Sequence, residues 1–284
     1  MNNCLLTLIF VICFFAKGQA QFYVKPYVRY HQSVSTQSAP QYFTLTFPVP
    51  YGSNGANSNE VSTQINKFSL ADGMKYGASA GYQFNNIIGL EAGIDYFKTN
   101  KKVMADIVHN GGTTMTQWEY QSVQASPVFT FRKNNQRSSL AGKAGIVIGV
   151  ASLQNTATSY NTSETYQLNT NFSFGYTVGI EYDLALNHYL SVAIEGGLEH
   201  SSYTPKKAKL IAIEGVNQYS LQDQSERLKE INYVNQIKNI PVTFDSYSNT
   251  YVYDENQPEQ RIKQAIKLSS VYLGIGIKYN FYKK

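Results

Sequence analysis

The chain has 284 residues; charged residues make up only 15%, while Tyr (23) and Gly (20) are abundant. So much Tyr with so little charge argues against a disordered chain and against a helical bundle built from Ala, Leu, Glu and Lys. The formal charge of +5 is modest and unclustered, which argues against a nucleic-acid groove.

The first element is an apolar run, Cys4 to Ala16 (CLLTLIFVICFFA), broken only by Thr7. A spanning helix needs about 20 apolar residues, so this run is too short to cross a bilayer and suits the core of a signal peptide. Gly18 and Ala20 are the small residues that a cleavage site after Ala20 requires. The reading is a signal peptide over 1–20 and a mature domain over 21–284, although the MNN that precedes the core lacks the usual Lys or Arg. Both cysteines, Cys4 and Cys13, fall in the removed segment, so the mature chain is expected to hold no disulfide, thiolate metal site or Cys nucleophile. Ile12 stands where lipid attachment at Cys13 would need a small residue.

Beyond residue 20 the recurring pattern is alternation with period two, the mark of strands with two chemically different faces. In FYVKPYVRY, Phe22, Val24, Pro26, Val28 and Tyr30 oppose Tyr23, Lys25, Tyr27 and Arg29. In MKYGASAGYQF, Met74 to Phe84 on one parity opposes Lys75, Gly77, Ser79, Gly81 and Gln83. After the turn pair Asn85-Asn86, Ile88, Leu90, Ala92, Ile94 and Tyr96 oppose Gly89, Glu91, Gly93, Asp95 and Phe97. The same plan predicts strands near 119–131 (interrupted by Pro127), 140–150, 172–182, 190–199 and 271–281, giving eight.

The connections alternate in length. Residues 31–73, 99–117, 152–170 and 202–266 are long and polar, whereas the links near 85–86, 132–138 and 184–188 are short. In an up-and-down sheet this places every long loop at one end, as in transmembrane barrels with short periplasmic turns and long extracellular loops. Strands of about 11 residues at ~3.3 Å, tilted near ~40°, span about 28 Å, close to an apolar band of roughly 25 Å. A soluble lipocalin-like carrier would turn the apolar face inward. Three features oppose that: the polar face is rich in Gly and Ser, closure satisfies every backbone group as hydrocarbon demands, and aromatics gather at the strand ends. Phe22, Tyr82, Phe84, Tyr182, Tyr279 and Phe281 mark one membrane interface; Tyr30 and Tyr96, with Tyr76 and Phe172, mark the other.

The fold class is therefore all-β, a closed antiparallel up-and-down transmembrane β-barrel. Its closing segment, YLGIGIKYNF with Phe281, resembles the last strand of small bacterial outer-membrane β-barrel proteins of the OmpA/OmpX type. The resemblance implies a bacterial outer-membrane location, outer-membrane lipid and lipopolysaccharide as surroundings, and the barrel-insertion machinery as a partner in assembly. Tyr282, Lys283 and Lys284 follow Phe281, a departure from a terminal aromatic.

Eight strands leave a lumen that side chains can fill. The inward parity carries Lys25, Arg29, Lys75, Lys143 and Lys278 against Glu91, Asp95, Glu181, Asp183, Glu195 and Glu199. Shielded charges of both signs should pair, because an unpaired buried charge costs several kcal/mol. The expectation is a plugged lumen, with function in the extracellular loops as surface binding or envelope structure; a narrow ion or solute channel is the alternative. The 202–266 loop is Tyr-rich and charge-balanced, as a surface for a protein or glycan ligand would be. Within it, QDQSERLKEINYVNQI predicts a short helix with Leu228, Ile231 and Val234 on one side and an Asp223–Arg227 pair.

An enzyme finds little support. No His-Glu-x-x-His spacing occurs. His200 and Ser202 with Glu214 are similar to the site of outer-membrane lipid A deacylases, but Glu214 lies in the long loop. Asp245, Asp254 and Glu255 lack the Gly-centred pattern of a Ca²⁺ loop. No catalytic residue, metal site or cofactor is assigned, and no nucleic-acid partner is expected.

Overall fold

The computed structural model describes residues 21–34, 62–65, 69–109, 112–135, 137–159, 162–169, 172–215, 220–237, 243–245, 250–252 and 254–281. In chain order the strands begin with β1 (Gln21–Ser33), β2 (Ser62–Ile65), β3 (Gly73–Gln83), β4 (Ile88–Thr99), β5 (Lys102–His109), β6 (Gly112–Asn134), β7 (Ser138–Ser159) and β8 (Thr162–Asn169). They continue with β9 (Ser173–Ala185), β10 (Leu190–Tyr203), β11 (Lys207–Gly215), the helical turn α1 (Glu226–Lys229) and β12 (Glu230–Val234). The last are β13 (Thr243–Asp245), β14 (Thr250–Val252), β15 (Glu259–Ile262) and β16 (Ile266–Phe281).

Eight of these close a ring in the order β1-β3-β4-β6-β7-β9-β10-β16, each antiparallel to its neighbours, with β16 returning to β1. These are the eight strands expected from the alternation. Pro127 does not interrupt β6: it faces Ala92 on β4, and the β6–β7 register is the same on either side of it (Ala125↔Ile148, Val128↔Gly145). A proline removes one ladder donor, and the rest of the strand holds. At the short-turn end, Asn85 Oδ1 accepts the backbone N–H groups of Ile87 (2.8 Å) and Ile88 (2.7 Å). Asn187 repeats the device with Tyr189 and Leu190, both at 2.8 Å. Among the described residues no helix is long and apolar enough to cross a membrane; the strands make the crossing.

Three long connections are not loops. Residues 99–117 contain β5 and the first part of β6, residues 152–170 the end of β7 with β8, and 202–266 contains β11, β12 and β15. The ladder continues outward from the barrel as β2-β5-β6 on one side and β7-β8-β11-β12-β15 on the other. The helix expected near 222–237 is reduced to the one turn α1; Ile231 belongs to β12, where it pairs with Ala208. Its intended partner Leu228 is exposed instead. The Asp223 side chain, and those of residues 31–73 expected as a loop beyond Val34 and before Ser69, lie outside what is described.

Strand parity does not change along these extensions, but polarity reverses. On β7 the outward residues run Ile146, Ile148, Val150 and then Ser152, Gln154, Thr156; the inward ones run Lys143, Val147 and then Ala151, Leu153, Ala157. On β6 the outward Phe129 and Val123 give way to Gln121 and Glu119, and the inward Gln124 and Ser122 to Tyr120 and Trp118. The switch falls on one register line, because Val123 pairs with Val150 and Gln121 with Ser152. Lys98 continues that line on β4 opposite Gln121. Below it the wall is apolar outside and polar inside; above it the arrangement is that of a water-soluble sheet.

The inward residues above the line form the hydrophobic core. Phe97, Trp118, Tyr120, Leu153, Tyr203, Ile266 and Leu268 rise from the barrel wall and meet Tyr166, Leu168, Ala208, Leu210, Ile231 and Tyr233 from β8, β11 and β12. Tyr203 donates to the carbonyl of Leu168 (3.0 Å) and Tyr166 to that of Leu228 (3.2 Å), so both phenols are satisfied within the core.

Candidate functional site

The lumen is the largest polar assembly. Lys25 lies on β1 with its Nζ 2.5 Å from Glu181, 3.1 Å from Glu91 and 3.2 Å from Glu195. Lys143 faces it from β7, bonding Glu181 and lying 3.0 Å from Glu91 and 3.5 Å from Glu195. Towards the short turns, Lys278 reaches Glu181 and Asp183, each at 2.5 Å. Towards the other end, Arg29 Nε donates to Glu195 at 2.6 Å, and Lys75 donates to Glu199 (2.6 Å) and Gln124 (2.7 Å). Asp95 accepts from Tyr27 and from Ser126 (3.2 Å). Every one of the eleven lumen charges expected from the sequence thus faces inward with a polar partner.

One member was missed. Arg132 Nη1 lies 3.1 Å from Asp183 and Nη2 3.5 Å from Glu181. It stands at the edge of the polar stretch RKNNQRS, which reads as turn, yet it continues the inward parity Ser122, Gln124, Ser126, Thr130 of β6. With it, Lys25, Arg29, Lys75, Arg132, Lys143 and Lys278 balance Glu91, Asp95, Glu181, Asp183, Glu195 and Glu199.

Tyrosine rings fill the space between charges. Arg29 lies 4.1 Å from the Tyr27 ring centre and 5.1 Å from that of Tyr272, and Lys278 lies 4.7 Å from that of Tyr23. Tyr23 also donates to Glu91 at 2.7 Å. Inward glycines make room for them: a Cβ on Gly81 would lie 2.1 Å from the Tyr23 ring. Nearer the core, buried His31 bonds Ser270 (2.8 Å) and stacks on Tyr272.

The aromatics assigned to the membrane interfaces stand outward at the two ends of the wall. At the short-turn end Phe22 meets Phe281 (5.4 Å), Tyr82 meets Phe84 (5.2 Å) and Tyr279 meets Phe281 (4.8 Å); Tyr182 is exposed there too. Tyr189, not singled out because it ends a turn, stacks on Tyr279 at 6.3 Å. Tyr30 and Tyr96 face outward higher up, and Tyr96 donates to Gln121 at 3.0 Å.

The triad of the deacylase alternative is not brought together. His200 Nδ1 pairs with Ser269 Oγ (2.7 Å) on β16, and exposed Glu214 lies on β11, separated from β10 by β9, β7 and β8. Among the described residues no group of three potential metal ligands occurs. Asp254 instead accepts the backbone N–H of Asn256 (2.9 Å) in a turn, and the Asp245 side chain lies outside the described set. In the cap above the barrel, burial raises the Tyr166 phenol well above its usual range and pushes Tyr233 up to about 12.

A closed ring of eight antiparallel strands, greasy outside and charged within, with its turns short at one end only, is the construction of a small bacterial outer-membrane β-barrel. The chain belongs to the outer membrane protein beta-barrel domain family, which matches residues 18–212, and its place is the bacterial outer membrane. The closing strand β16 lies beyond the matched segment and completes the ring. Among solved structures it is similar to the outer membrane protein OprG from Pseudomonas aeruginosa, at 10% identity, covering 94% of this chain and 98% of that one with a TM-score of 0.41. Ail, the attachment invasion locus protein of Yersinia pestis, shows 12% identity, coverage of 93% and 99%, and a TM-score of 0.36. The outer membrane protease OmpT from Escherichia coli shows 9% identity, coverage of 93% and 96%, and a TM-score of 0.25. No curated protein matches the chain.

Proposed function

We propose that this protein is a non-conducting outer-membrane barrel that works through its extracellular sheet, in surface binding or envelope structure, with no enzymatic role. The observation that carries this reading is the stacking of two barriers in one lumen. A neutralised ion cluster around Lys25, Lys143 and Glu181 lies below an aromatic core around Trp118, Tyr120 and Tyr203. A permeant ion would have to separate buried pairs and then cross an apolar plug, and each step is costly. Single-channel recording in planar bilayers tests it: no stable conductance is expected, and a steady open level would favour the narrow-channel alternative.

In the same reading residues 1–20 are a signal peptide and 21–284 the mature barrel. The aromatics Phe22, Tyr30, Tyr82, Phe84, Tyr96, Tyr182, Tyr279 and Phe281 sit at the two lipid interfaces, among lipopolysaccharide and phospholipid heads, and the Phe281 strand is what the insertion machinery engages. The ligand-facing surface is the outward side of β8, β11 and β12, where Lys207 pairs with Glu230 (2.7 Å) and Lys209 is exposed. Its mixed charges suit an extracellular protein or glycan. Because Ala208, Leu210, Ile231 and Tyr233 on the opposite side of these strands seal the barrel, the surface is tested by charge reversal at Lys207 and Lys209 rather than by deletion. Loss of capture from whole cells with unchanged heat-modifiable migration supports binding; unchanged capture supports a purely structural cap.

A further inference from the structure

The two ends of the lumen differ. Above the ion cluster the interior is packed, while below it, at the level of the short turns, an open vestibule of about 660 Å³ faces the periplasm, within the size range of small-ligand sites. Its lining has one sign of charge: Arg132 and Lys133 contribute to it and no carboxylate does. The amide side chains of Gln21, Gln83, Asn86 and Asn134 supply the other polar groups, and Ile87 is the sole apolar contributor.

One of these amides is out of balance. Gln83 is only 5% exposed, yet neither its Oε1 nor its Nε2 has a hydrogen-bond partner among the described residues, and the same holds for Thr130 Oγ1. Both side chains lean over Gly89, where a Cβ would lie 2.7 Å from Gln83 Oε1 and 2.7 Å from Thr130 Oγ1. Arg132 Nε is likewise without a hydrogen bond, its Nη1 being committed to Asp183 at 3.1 Å. Buried polar groups without partners are costly, and native structures keep few of them. Gln83 is the last residue of β3 and lines the vestibule, where a ligand amide would satisfy it.

We propose that this periplasmic vestibule binds a small ligand carrying a carboxylate beside amide groups, the chemistry of a peptide C-terminus. Lys133 and Arg132 attract the carboxylate, and Gln83 and the neighbouring amides pair with peptide N–H and C=O groups.

The test uses the intact barrel in detergent micelles, with tri-alanine as free acid and as its C-terminal amide for probes. Binding is read from the side-chain amide signals of an isotopically labelled sample. The free acid is expected to bind saturably, the amide at least fivefold more weakly, and Gln83→Leu and Lys133→Gln each to weaken the acid at least fivefold. Both substitutions lie at the barrel's end, away from the Lys25–Glu181 pair, and heat-modifiable migration reports that the fold is kept. No saturation, equal binding of acid and amide, or parental affinity in either variant would overturn the proposal.

Discussion

Glu181→Gln removes the carboxylate on which most of the lumen converges. Glu181 is fully buried, lies 2.5 Å from both Lys25 and Lys278, bonds Lys143, and sits 3.5 Å from Arg132. The substitution keeps shape and volume but leaves six lumen cations facing five carboxylates. Deleting one partner of a buried pair costs about 3–5 kcal/mol. The low end is expected here, about 3 kcal/mol, because Lys25 retains Glu91 and Glu195 and Lys278 retains Asp183. Urea unfolding in detergent micelles, followed by the emission of Trp118, the one tryptophan of the chain, measures it. Glu119→Gln is the reference: its partner Lys98 is half exposed, so water screens the pair and its loss should cost far less. Glu181→Gln with Lys278→Met restores neutrality and should recover more than half of the loss. If Glu181→Gln falls within about 1 kcal/mol of Glu119→Gln, water and counter-ions reach the lumen, and the argument for a closed, self-neutralised interior fails.

Three further outcomes follow from the same geometry. Trp118 is 1% exposed in the core above the barrel, so its emission should be blue-shifted and shielded from acrylamide, and Trp118→Ala should cost about 3–5 kcal/mol in the same urea assay; a solvent-quenched Trp118 would contradict the cap. Tyr233, held up to about 12 by burial in β12, is protonated in the fold where the unfolded phenol, at about 10, has ionised. The stability it contributes is complete below pH ~10 and falls as pH rises from about 10 to about 12; tyrosinate absorbance should show late-ionising phenols, one fewer in Tyr233→Phe than in the parent. Gly81→Val would place a side chain where the Tyr23 ring lies, since a Cβ there falls 2.1 Å from it; the heat-modifiable form should disappear, and its survival would mean that Tyr23 does not fill the lumen.

The parts of this protein legible in the sequence are those where a strand has lipid on one side. Val24, Ile94, Ile148 and Ile277 announce the wall because no soluble exterior needs such a face, and the opposing Lys25, Asp95 and Lys278 announce the lumen. Above the membrane the same period continues with its polarity reversed, so a search for an apolar outward stripe stops at Val123 and Val150. Gln117, Ser152 and Gln154 then read as loop, although they are strand. The signal was present in the inward set, Trp118, Tyr120, Ala151 and Leu153, which keeps parity across the boundary. Short-range reading also misplaced Ile231: the helical spacing of Leu228, Ile231 and Val234 is local, whereas its burial against Ala208 depends on a strand remote in sequence. Arg132 was lost for a simpler reason, its neighbours being turn-like.

The wall reverses its polarity at a single register line, and β7 crosses it. Spin labels placed on Cys introduced singly at the outward positions Ile146, Ile148, Val150, Ser152, Gln154 and Thr156, in a background without Cys4 and Cys13, can be read in lipid vesicles with dissolved oxygen and with a water-soluble nickel relaxant. High oxygen and low nickel accessibility through Val150, crossing over by Ser152 and holding through Thr156, is the expected profile. Nickel access at Ile146 and Ile148, or no crossover anywhere along the strand, would contradict it.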